Sequence, residues 1–135
     1  YDGDNDLDAF MVNHALEFYN VFVNTSRLRR LRSPEAGNKL YRNDNGFFTD
    51  VSEQAGIDGS NLNFGLGAAV GDVNSDGKPD IYVTNDYNEQ DFLYLNNGDG
   101  TFTESIKTSM AHTSLYSMGV DMGDLNNDGL LDVVT

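Results

Sequence analysis

The chain has 135 residues and a formal net charge of −14, from 22 acidic against 8 basic residues. That balance excludes a nucleic-acid partner, because no basic surface is there to neutralise phosphates, and it excludes docking on an anionic membrane. Ordinary apolar content with seven Tyr and eight Phe supports a buried core, so disorder does not explain the acidity.

The chain opens on an acidic run, Asp2, Asp4, Asp6 and Asp8, followed by a strand-like Ala9-Phe10-Met11-Val12-Asn13. Residues 14–37 then interrupt the pattern and hold Arg27, Arg29, Arg30 and Arg32, half of all the basic residues. This insertion reads as a surface loop whose arginines pair with the acidic body; the competing reading is a loop that docks a partner. Asn24-Thr25-Ser26 within it is a glycosylation sequon. Next, 40–50 reads as strand, Asn-Gly turn, strand, which is a hairpin signal.

The 65–116 stretch holds four expected strands, near 65–71, 80–85, 91–96 and 100–105. Alternating aromatic and β-branched residues suit half-buried strands. Between the first two lies Asp72-Val73-Asn74-Ser75-Asp76-Gly77-Lys78-Pro79-Asp80. A polar linker around His112 follows. The pattern then restarts at 117–135, where Asp124-Leu125-Asn126-Asn127-Asp128-Gly129-Leu130-Leu131-Asp132 repeats the loop 52 residues later. The run 2–8 aligns with 74–80 as a partial third copy, with Asn5 in place of the glycine. About two and a half units are present, and four short strands in roughly 50 residues is the size of a propeller blade. The fold class expected is therefore all-β, with blades of four antiparallel strands. The chain divides into a partial first repeat (1–50), a complete repeat (65–116) and the start of another (117–135). It reads as a piece of a larger propeller or repeat assembly.

Each nine-residue loop carries oxygen side chains at positions 1, 3, 5 and 9. Calcium is a hard cation that takes six to eight oxygens at about 2.3–2.6 Å. Asp72, Asn74, Asp76 and Asp80, with the carbonyl of Lys78, form one expected ligand set. Asp124, Asn126, Asp128 and Asp132, with the carbonyl of Leu130, form the other. Asp2, Asp4, Asp6 and Asp8 mark a partial third. Two Ca2+ sites are thus expected, with a third incomplete one at the N-terminal run. An EF-hand would need Glu at position 12, where Val83 and Thr135 stand. Magnesium fits less well, since it holds an octahedral shell rich in water. The bland alternative is that these residues are ordinary turn formers; in-phase repetition argues against it.

Phe64-Gly65-Leu66-Gly67-Ala68-Ala69 and the loop behind it resemble the FG-GAP/VCBS repeat family, the calcium-bearing blades of integrin α-chain propellers and of many bacterial surface proteins. The Leu93-Tyr94-Leu95-Asn96 and Gly100-Thr101-Phe102-Thr103 hairpin is similar to the cartilage-acidic-protein-like and UnbV-type variant. The resemblance implies a propeller fold, calcium between the first two strands of each blade, and an extracellular, cell-surface or periplasmic setting. Ser117 stands where the family has glycine.

Three functions compete. The first is a calcium-rigidified adhesive or interaction module with a protein or glycan partner. The second is a subunit of a surface filament or layer, self-assembling through strand edges at 8–13 and 132–135. The third is the non-catalytic part of a propeller-scaffold enzyme. No catalytic motif appears: His14 and His112 are the two histidines and form no ligand-spaced pair. No cysteine is present, so neither disulfides nor thiolate sites arise. No apolar run approaches the roughly 18 residues of a membrane span, and no membrane insertion is expected.

Overall fold

The computed structural model describes residues 1–16, 25–87 and 89–135. Asn24 of the sequon lies outside them. The described strands group by repeat. β1 (Ala9–Met11), β2 (Lys39–Asp44) and β3 (Phe47–Asp50) form one antiparallel sheet in that order. β4 (Gly65–Gly71), β5 (Asp80–Asn85), β6 (Phe92–Asn96) and β7 (Phe102–Glu104) form a second. β8 (Asp121–Gly123) and β9 (Asp132–Val134) pair as a third. Among the described residues the fold is all-β but for one helical turn, α1 (Ile106–Ser109), and a 3-10 turn at Leu28–Arg30.

The hairpins follow from their turn residues. β2 and β3 meet through Asn45-Gly46, both with positive φ (54° and 93°), the primed turn that matches strand twist. β6 and β7 are joined by a longer turn with Gly98 and Gly100 at φ 78° and 84°.

The complete blade buries both faces, and the side-chain alternation of β5 and β6 divides them. Ile81, Val83, Phe92 and Tyr94 face one way, onto Leu40, Val51 and Ile57 with Tyr1, Phe10 and Val12 beside them. Tyr82 and Leu93 face the other way, with Ile106 of α1 and flanking Val120, Met122 and Val133. Hence α1, which the linker composition did not announce, exists to seat Ile106. All six residues of β5 are buried. At roughly 1.5–3 kcal/mol per buried large apolar side chain, these two layers carry most of the stability. The inner strands approach closely, so a Cβ on Gly71 would stand 2.7 Å from Leu131 Cδ1 and 3.0 Å from Met122 Sδ.

Phe48 illustrates what a neighbouring sheet does. It aligns with Phe102, which is 6 % exposed against the first sheet, whereas Phe48 is 57 % exposed.

The described part of the insertion grips the body. Arg29 Nε donates to Glu89 Oε2 at 3.1 Å, and Arg32 Nη1 to the Ile57 carbonyl at 3.1 Å. Ser33 N donates to Gly59 O at 2.7 Å, and Asn61 N to Leu31 O at 3.2 Å. Ile57, Gly59 and Asn61 belong to the segment between the first two sheets, and Glu89 to the connection between β5 and β6. Burial pushes the Asp58 carboxyl up from its ordinary range, and the nearby Arg32 and Arg29 offset part of that.

Candidate metal-binding loops

The Asp-rich loops at 72–80 and 124–132 connect β4 to β5 and β8 to β9, the run 2–8 leads into β1, and one backbone conformation recurs in all three. Position 4 has positive φ in all three copies: Gly3 (81°), Ser75 (59°) and Asn127 (63°). So does position 6: Asn5 (73°), Gly77 (83°) and Gly129 (86°). Asn5 adopts the left-handed conformation that asparagine tolerates better than most residues. Two such reversals curl the loop tightly enough to bring positions 1, 3 and 5 together.

The hydrogen bonds match copy by copy. Asp76 N donates to Asp72 Oδ1 (3.0 Å) and Asn74 Oδ1 (3.1 Å), and Gly77 N to Asp72 Oδ2 (2.8 Å). Asp128 N donates to Asp124 Oδ1 (3.0 Å) and Asn126 Oδ1 (2.9 Å), and Gly129 N to Asp124 Oδ2 (2.8 Å). Lys78 N reaches Asp76 Oδ1 at 3.0 Å and Leu130 N reaches Asp128 Oδ1 at 2.9 Å. In the first copy Asp4 N donates to Asp2 Oδ1 (3.4 Å) and Asp6 N to Asp4 Oδ1 (2.8 Å). The alignment of 2–8 with 74–80 is therefore structural as well as sequential.

Position 9 has a task the spacing alone did not disclose. Asp80 is fully buried, and its carboxylate clamps two backbone groups: Val73 N on Oδ2 (3.0 Å) and Asn96 N on Oδ1 (2.8 Å). Asp8 repeats the clamp, accepting from the Tyr1 amine and from Asn43 N (3.0 Å). Asp132 accepts from Leu125 N (3.0 Å). Asp80 and Asp8 thus each fasten the start of their loop to the strand that pairs next to the one they lead into.

Positions 1, 3 and 5 are brought together, then, while position 9 is turned into the sheet. Among the described residues no three His, Cys, Asp or Glu side chains form a gathered ligand group. What each complete loop offers is two carboxylates and one amide oxygen, with backbone carbonyls nearby. This donor set is oxygen throughout, which fits a hard cation and not a thiophilic metal. Asp6 does not join it: its Oδ2 accepts the Asn45 N–H of the neighbouring hairpin at 2.7 Å.

Position 7 is where the copies diverge, carrying Asp6, Lys78 and Leu130. Lys78 Nζ lies 2.9 Å from Asp76 Oδ2. That hydrogen bond holds the Asp76 carboxyl below the ordinary carboxylate range.

Known proteins decide what this repeat is. The profile of the FG-GAP-like repeat matches residues 1–83 and again 72–135, which together cover every residue. The chain belongs to the FG-GAP-like repeat family. Among curated relatives it is similar to cartilage acidic protein 1 of Homo sapiens, 35 % identical over 86 residues, 63 % of this chain and 13 % of that protein. The Xenopus tropicalis protein is 37 % identical over 71 residues, 52 % of this chain and 11 % of its own length. The chain thus spans a small part of the relatives it matches.

Within the FG-GAP-like pattern, Ser117 takes the place that Gly65 holds in the preceding repeat. Its hydroxyl donates to Asp91 Oδ2 at 2.9 Å, and it is 1 % exposed. Asp91 also accepts from Tyr82 Oη (2.8 Å) and Asn85 N (2.8 Å). The serine therefore ties the third repeat to the buried carboxylate of the second. The departure from glycine is visible in the sequence, whereas its partner, 26 residues away, is not.

Proposed function

We propose that the chain is a segment of a calcium-stapled β-propeller in an extracellular or cell-surface protein, serving a non-catalytic adhesive or interaction role. The observation that carries this reading is the repetition of one loop, bond for bond, with oxygen-only donors at positions 1, 3 and 5. Asp72, Asn74 and Asp76 would hold one ion and Asp124, Asn126 and Asp128 another, with the carbonyls of residues 78 and 130 as backbone ligands. Bound calcium would supply positive charge that lets paired carboxylates share one small space. The residues themselves do the rest. Positive-φ turns aim the oxygens inward, and Asp80 passes the loop's rigidity to β6.

A non-catalytic role is supported by the histidines. His14 Nδ1 sits 3.0 Å from the Ala15 carbonyl with its ring against Phe64, and His112 is an exposed linker residue. An extracellular setting is supported by the name of the relatives, cartilage acidic protein, and by calcium levels outside cells that suit sites with dissociation constants of roughly 10⁻⁴–10⁻³ M. The partner on this reading is a protein or a glycan.

Thermal melts in calcium, in EGTA and in magnesium test the proposal. A Tm that falls in EGTA, returns with calcium and does not return with magnesium is expected. An unchanged melt would leave the loops as turns and remove the calcium role.

A further inference from the structure

The two complete loops share their positive-φ turns and the backbone hydrogen bonds to positions 1, 3 and 5, and the one charged side chain that differs between them stands out. At position 7 one has a lysine and the other a leucine. Lys78 Nζ is 2.9 Å from Asp76 Oδ2, and Asn74 Nδ2 donates to the same oxygen at 3.2 Å. Asp128 accepts, among the described residues, only the Leu130 N–H, on Oδ1.

The lysine is also given a seat. A Cβ on Gly98, in the turn between β6 and β7, would stand 2.4 Å from Lys78 Cε and 2.9 Å from Cδ. Glycine there makes room for the stem. Lys78 further lines a cleft between repeats together with Asp2, Asn5 and Asp6. That cleft therefore also carries acidic side chains from the loop of the preceding repeat.

We propose that Lys78 is a built-in counter-ion that competes with a divalent cation for Asp76. The loop at 124–132 then fills first, and the loop at 72–80 fills at higher cation concentration as Lys78 moves toward Asp2 and Asp6. This rests on the calcium reading above and adds an order of filling to it. The gap follows from the pair's exposure. An ion pair with side chains 38 % and 33 % exposed is weak, and one extra positive charge beside a divalent ion is partly screened by water. Together they set the two affinities about three- to tenfold apart.

The test is calcium titration by calorimetry on the 135-residue chain and four variants. Wild type is expected to show two steps, with D128N abolishing the tighter and D76N the weaker. K78L should draw the weaker step up to the tighter one, and L130K should weaken the tighter step by a similar factor. Added potassium chloride should narrow the wild-type gap, because the lysine's effect is screened. Calcium binding that K78L and L130K leave unchanged overturns the proposal while sparing the calcium reading. So does a tighter step that D76N removes. No binding by any variant takes both down. Both substituted side chains are substantially exposed, and circular dichroism verifies that the variants fold.

Discussion

The Asp80 clamp makes a prediction in which the protein supplies its own control. Asp80→Ala removes the acceptor of two backbone N–H groups, Val73 and Asn96, at a position with no solvent exposure. A hydrogen bond to a charged group is worth about 1.5–3 kcal/mol, and a buried donor left unpaired loses its hydration as well. With some relaxation of the loop, the expected loss is about 3–5 kcal/mol, a large share of the roughly 5–15 kcal/mol that domains possess. Asp132 stands at the equivalent position, is half-buried, and accepts one exposed bond from Leu125 N. Asp132→Ala should cost about 1 kcal/mol or less. Urea unfolding in EGTA is the assay, because chelation removes any contribution from a bound ion. If the two variants lose equal stability in EGTA, or if D80A is damaging only when calcium is present, then Asp80 acts solely as a metal ligand and the clamp argument is wrong.

Three further outcomes follow from single contacts. Ser117→Gly, which restores the family residue, should lower stability by about 2 kcal/mol through loss of a buried bond to Asp91, read from the urea midpoint. Gly37→Ala places a Cβ 2.6 Å from the Gly59 backbone and should cost about 1–3 kcal/mol, whereas Gly119→Ala meets nothing within 4 Å and should be neutral or slightly stabilising. Equal melting temperatures for those two would contradict the packing. Burial raises the phenol of Tyr94, and burial with Asp91 raises that of Tyr82. Unfolded tyrosine ionises near pH ~10 while these stay protonated in the fold, so the unfolded state binds fewer protons and stability falls as pH rises above about 10. Tyr94→Phe should flatten that decline, as measured by melts across the alkaline range.

Features that repeat were legible in the sequence. The loops, the Asn45-Gly46 hairpin and the four-strand unit each depend on local chemistry that recurs in phase, so one copy checks another. Features that depend on partners distant in the chain were hidden. Asp80 looks like any ninth-position ligand until Asn96 is found beside it. Lys78 looks like a solvated charge until Gly98 and Asp2 form its cleft. The insertion arginines are compatible in sequence with body-pairing or partner-docking, and the described contacts of Arg29 and Arg32 are with the body. Nothing in residues 25–37 alone names Glu89 or Ile57 as their partners.

The geometry also gives the proposed calcium loop a physical reason to sit at this joint. β4 and β5 are consecutive, and the loop between them must reverse the chain while carrying two carboxylates within a few residues. Without compensation, like charges that close resist the turn. The backbone N–H groups of residues 76–78 meet part of that need, and the Asp80 clamp carries the closed loop into β5, where Ile81, Tyr82 and Val83 enter opposite cores. A change in loop order is therefore felt on both faces of the blade at once. A surface turn with the same residues but without Asp80 would leave the cores indifferent to its order. On the calcium reading, one buried carboxylate would link cation uptake to blade packing.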